Sequence, residues 1–188
     1  RNASYHTIIV AIEQGLVLDG DTIKSCLGYF WELRNKYDEN SFDYQTMIDK
    51  LMHTIDPNIE EMLDVRSLGL KSLDFLERLP KLTRLVCSDN NLKSLNGVQY
   101  LKDLIYINAE NNKISDINAL KDNSNIKEFN FNNNKITSLE PLRNLHNLNK
   151  LNISNNLITS LEPLKNLDGI YHLSASFNKI TSLEPLRN

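Results

Sequence analysis

Cysteine is nearly missing from this chain: Cys26 and Cys87 are the only two, and neither falls in a Cys-x-x-Cys or Cys/His spacing. That excludes a disulfide framework and a zinc site. No run approaches the ~18 consecutive apolar residues of a membrane-spanning helix. Neither sign of charge dominates: 21 basic and 24 acidic residues leave a net charge of −3, without the basic footprint of a nucleic-acid binder. The N terminus has no basic, apolar and small-residue succession of a secretory signal. The chain begins at Arg1, as a trimmed fragment would. Catalytic signatures are absent too. His6, His53, His146 and His172 are scattered, and no phosphate loop or His-Glu-x-x-His occurs. Asp38-Glu39-Asn40 could open a calcium loop, but Asp43 and Asp49 stand where glycine and glutamate are needed. An enzyme, a cofactor and a bound metal are therefore not expected.

What the chain has in abundance is a beat. Asn90, Asn112, Asn134, Asn156 and Asn178 recur every 22 residues, and such a period marks a stacked-repeat protein. Apolar residues keep the same interval. One unit carries Leu82, Leu85, Cys87, Leu92, Leu95, Val98 and Leu101, and another carries Leu148, Leu151, Ile153, Ile158, Leu161, Leu164 and Leu167. Extended backward, the beat reaches Leu63, Val65, Leu70, Leu73, Leu76 and Leu79, with Leu68 in the asparagine slot of a degenerate first turn. Before each asparagine, apolar and polar residues alternate, which is a strand period, as over 84–88 and 150–154. After it the apolar spacing becomes three, which suits a 3₁₀-like or extended return path. Pro141, Pro163 and Pro185 lie on that path and argue against an α-helix there. The asparagine amide carries both donors and acceptors, so the repeated residue is expected to satisfy buried backbone of its own and adjacent turns. Asn123 stands in a slot that is leucine in neighbouring turns, and a looser convex side is expected there. Cys87 reads as a small buried hydrophobe.

The pattern Leu-x-x-Leu-x-Leu-x-x-Asn-x-Ile-x-x-Leu-x-x-Leu over about residues 60–188 resembles a leucine-rich repeat. Its unit length and the phrase Ile-Thr-Ser-Leu-Glu-Pro-Leu are similar to the short subclass of the protein phosphatase 1 regulatory subunit and bacterial internalins. Ile114-Ser115-Asp116-Ile117-Asn118-Ala119-Leu120 is particularly similar to internalin repeats. The resemblance implies an α/β repeat solenoid with a parallel concave sheet, a 3₁₀ or extended convex side, and an all-helical N-terminal cap.

Residues 1–58 lack the beat and read as that cap or a small helical domain, with the repeats over 59–188. Tyr5, Ile8, Ile9, Ile12 and Leu16 share one helical face; Ile23, Cys26, Leu27, Phe30, Leu33 and Tyr37 share a second. A third helix is expected from Ser41 or Asp43 through Ile55, and a short fourth from Asp56-Pro57. Lys135–Asn144 and Lys179–Asn188 have one sequence, so the chain stops inside a unit, and a continuation beyond Asn188 is expected.

The resemblance implies a non-enzymatic module that binds a protein on its concave face, without nucleic acid or membrane insertion; oligomeric state is left open. The alternative is an adaptor or effector whose repeats position a catalytic domain outside this chain. A phosphatase-regulatory or adhesive role rests on the resemblance alone. The outward strand positions include Val86, Ser88, Tyr106, Glu128, Lys150 and His172, with Ile105, Tyr171 and Phe177 beside them. Among these the candidate partner-binding residues are Tyr106, Glu128, Lys150, Tyr171, His172 and Phe177, since aromatics are enriched at binding hot spots. Asn2-Ala3-Ser4 and Asn152-Ile153-Ser154 are glycosylation sequons. A glycan on Asn152 would obstruct the concave face. Together with the isolated cysteines, this favours a cytoplasmic over a secreted setting.

Overall fold

The structure, a computed structural model, describes residues 42–187 together with Gln14. The first two expected helices, Cys26, the Asn2 sequon, Asp38–Asn40 and Asn188 lie outside the described residues.

Six parallel strands follow one another in chain order: β1 (Met62–Asp64), β2 (Arg84–Val86), β3 (Tyr106–Asn108), β4 (Glu128–Asn130), β5 (Lys150–Asn152) and β6 (His172–Ser174). The register reproduces the sequence beat, aligning Leu63, Leu85, Ile107, Phe129, Leu151 and Leu173 across the sheet. The strands are three residues long rather than the five expected. Just beyond each one the chain enters the left-handed region, at Ser67, Asp89, Asn111, Asn133, Asn155 and Phe177 (φ 54–58°), and that bend closes the strand.

The return path is 3₁₀, as at Glu140–Leu142, Glu162–Leu164 and Glu184–Leu186. Each of these is started by a serine two residues upstream. The Oγ atoms of Ser138, Ser160 and Ser182 accept the N–H of Glu140, Glu162 and Glu184 at 3.2, 3.1 and 3.1 Å. Proline fits these first turns because its missing N–H has no partner to lose there. Gly97 is required where the second turn meets the first. Its φ is +108°, and a Cβ there would lie 2.1 Å from the Leu73 carbonyl oxygen.

The asparagine column is bonded on every side. Asn134 Oδ1 accepts the Ile114 N–H at 2.9 Å, and its Nδ2 donates to the Ala109, Phe131 and Asn132 carbonyls. Asn112, Asn156 and Asn178 repeat this pattern. Asn90 accepts two N–H groups, from Leu68 and Leu70, so the backbone N–H of the leucine in the slot is still paired. A buried polar group left unpaired costs about 1–3 kcal/mol, which is why asparagine recurs. Asn123 is fully buried: its Nδ2 donates to Leu101 O at 2.7 Å and Val98 O at 3.3 Å, and its Oδ1 is buried without a partner. The amide ties two turns together where leucine would only fill space.

One apolar core runs the length of the stack. Cys87 is buried in it, and burial pushes its thiol up to about 12, the behaviour of a small inert hydrophobe. Phe131 stacks on Phe129 at 5.0 Å, beside the small Ala109 of the preceding turn, which leaves it room. At the N-terminal end, helix α1 (Phe42–Met52) caps the core with Ile48, Leu51 and Met52, followed by Ile55. The fourth helix expected from Asp56 is not formed. Asp56 Oδ1 accepts the Asn58 N–H at 2.9 Å, closing a tight turn that sends the chain straight into β1. At the other end Leu183 and Leu186 are 66% and 41% exposed.

Candidate protein-interaction surface

The strand pleat sends alternate side chains outward, and the 22-residue register piles them into rows. One row runs Arg84, Tyr106, Glu128, Lys150, His172. The structure brings three of the six candidate residues together in and beside it. Lys150 Nζ lies 3.0 Å from Glu128 Oε1, and the Tyr171 side chain is near enough to interact with its charge. The Glu128 hydrogen bond, then its charge, then Tyr171 hold the Lys150 ammonium above its ordinary value. His172 is in register with Lys150, and its Nε2 lies 3.3 Å from Ser174 Oγ.

Tyr106 is in register with Glu128 but separate from the Lys150 ion pair. Its ring carries the Arg84 guanidinium at 4.4 Å and is half-buried, so much of its face is already occupied. Phe177 is also separate: it lies past the far end of β6, on the opposite flank from Tyr171. Two outward positions, Val86 and Ser88, are buried rather than exposed. They lie near Arg66, which is fixed to Asp64 at 2.6 Å and whose charge also interacts with Asp89 and Tyr106. Among the described residues Tyr171 at 71% and Phe177 at 81% are the most exposed large apolar side chains.

The acidic residues of the middle strands have partners within the chain. Besides Glu128–Lys150, Glu110 accepts Asn130 Nδ2 at 3.0 Å. Among the described residues no group of three or more His, Cys, Asp or Glu side chains is placed to hold a metal, and no helix is long and apolar enough to cross a membrane. The surface offers exposed aromatics, amides and one ion pair, which is chemistry for contact.

The family described as "Leucine Rich repeats (2 copies)" matches residues 124–166, two turns of this stack. These are leucine-rich repeats. Three solved leucine-rich repeat structures share the fold. An internalin (inlF) from Listeria monocytogenes superposes with a TM-score of 0.63 at 24% identity, over 74% of this chain and 39% of its own. A leucine-rich repeat protein of Leptospira interrogans gives 0.51 at 24% identity, over 73% of this chain and 41% of its own. The leucine-rich repeat ectodomain of the receptor kinase SOBIR1 from Arabidopsis thaliana gives 0.53 at 23% identity, over 63% and 69%. The chain thus spans about two fifths of the internalin it matches. No curated protein matches it. Leucine-rich repeats of this kind are a scaffold for protein–protein interaction.

Proposed function

We propose that this leucine-rich repeat stack is a non-enzymatic recognition module that engages a protein partner on the concave face of its last turns. The reading rests on one observation: the exposed Tyr171 ring stands next to the strand that carries the Glu128–Lys150 ion pair, across three adjacent turns. An aromatic anchored beside a fixed charge pair combines apolar contact with orientation, the arrangement that dominates binding hot spots. His172 and Tyr106 lie in the same row as the ion pair. The ion pair itself contributes little stability, being exposed to solvent, so its value lies in what it presents.

Photo-crosslinking from residue 171 in lysate of the source organism, followed by mass spectrometry, identifies the partner. Tyr171→Ala and Lys150→Ala are each expected to weaken the purified complex at least tenfold while leaving the circular dichroism spectrum unchanged. Wild-type affinity in both variants would remove the concave face from consideration.

A further inference from the structure

The row formed by the residue before each asparagine reads Ser67, Asp89, Asn111, Asn133, Asn155 and then Phe177, all in the left-handed region. Asparagine and aspartate tolerate that conformation; a bulky side chain is strained in it. Phe177 departs from the row in both conformation preference and polarity, and it is 81% exposed. Its exposure is a property of the row: positions 89, 111, 133 and 155 are exposed although each has a turn on both sides. Strain retained at an exposed aromatic points to use of that side chain.

A second departure lies on the same flank. The residue after each asparagine reads Asn91, Lys113, Lys135, Leu157, Lys179, with Leu157 38% exposed. The backbone stacks these positions regularly: the N–H groups of Lys135, Leu157 and Lys179 donate to Ile114, Ile136 and Ile158. Leu157 therefore sits between Lys135 and Lys179, which are about 10 Å apart at ~4.8 Å per turn. Both lysines are exposed and, among the described residues, make no ion pair. No acidic residue occurs over 133–137, 155–159 or 177–181. The glutamates further along each turn are already paired with Arg143, Lys165 and Arg187.

We infer that this lateral flank is a second docking surface, for an acidic protein segment that also carries apolar side chains. Phe177 and Leu157 supply the apolar anchor, the free charges of Lys135 and Lys179 meet the partner's carboxylates, and the Asn133 and Asn155 amides line the way between. Charge complementarity selects this occupant. Two lysines are too few for a nucleic acid, whose affinity comes from neutralising many phosphates. The surface is distinct from the concave sheet, so the two readings fail separately.

Selection from a displayed random-peptide library on the immobilised chain tests this. The selected pool is expected to be enriched in Asp and Glu together with aromatic or aliphatic residues. A synthetic peptide from it should bind at least tenfold more weakly to Phe177→Asn and to Lys135→Glu/Lys179→Glu, and equally well to Tyr171→Ala. Misfolding does not confound the first variant, because relief of strain should leave its melting temperature unchanged or about 1–3 °C higher. Exchanging the peptide's acids for lysines should restore binding to the double-charge variant. The inference is overturned by a pool without acidic enrichment, by undiminished binding to the Phe177 and lysine variants, or by a dT20 oligonucleotide that binds more tightly than the best peptide.

Discussion

Residues 135–143 and 179–187 have the same sequence and nearly the same local structure. In both, a serine Oγ accepts the glutamate N–H, Glu–Pro–Leu forms a 3₁₀ turn, and the glutamate pairs with an arginine at about 3 Å. The residue before the turn has φ −101° in one and −99° in the other. Yet Leu139 and Leu142 are fully buried while Leu183 and Leu186 are 66% and 41% exposed. The nine-residue phrase thus encodes its own conformation by local hydrogen bonding. It does not encode its burial, which depends on turns stacked on both sides. The stack's two ends differ likewise: α1 covers the core beside β1, and the outermost turn keeps its leucines at the surface.

The largest test of that comparison is a pair of truncations. Leu142→Ala should lower the free energy of unfolding by about 3 kcal/mol, as for a fully buried leucine, and Leu186→Ala by under about 1 kcal/mol. Urea denaturation measures both, and equal losses would mean the turns are not stacked as described. Next comes the asparagine column. Asn134→Ala strands the Ile114 N–H in the interior, at a cost of about 1–3 kcal/mol, while the Ala109, Phe131 and Asn132 carbonyls keep Asn112, Asn156 and Asn111 as donors. Asn178→Ala breaks the same four bonds on the outermost turn, where water can replace them, so a loss below about 1 kcal/mol is expected. Amide exchange at Ile114 and Ile158 reads the two sites separately.

A smaller effect, of opposite sign, is expected in the left-handed row. Phe177→Asn should stabilise its turn by about 0.5–1 kcal/mol, and Asn133→Phe should destabilise by a similar amount; thermal melts compare them. The smallest effect is electrostatic. Hydrogen bonding to Arg143 holds the Glu140 carboxyl below its ordinary value. The unfolded chain therefore binds that proton more readily, so the contribution is present at neutral pH and is lost as pH falls through the lowered folded-state value. Glu140→Gln should lower the melting temperature slightly at pH 7 in low salt and make no difference in strong acid.

The fold was legible because the 22-residue beat fixes which side chains share a row, and the register of Leu85, Ile107, Phe129 and Leu151 follows it. What the beat could not convey were local competitions and lateral neighbours. Asp56 bonds forward to Asn58 and makes a turn where a helix start was equally well signalled. Asn123 finds two carbonyls of the preceding turn, which a leucine slot gives no hint of. Tyr106 is a plausible anchor in the row, but Arg84 already covers it. Leu157 lies outside the strand rows that the alternating pattern marks. Reading the flank rows in the same way would have shown a leucine among lysines.

The sequence by itself determined the repeat length, the strand-to-3₁₀ alternation and the asparagine column, because these arise from contacts within a turn and from one fixed translation between turns. Only the tertiary structure decided which copies of a repeated phrase are interior, which charges are already paired, and which aromatics remain open to a partner. Burial and pairing are properties of neighbours, and identical residues acquire different neighbours along a stack.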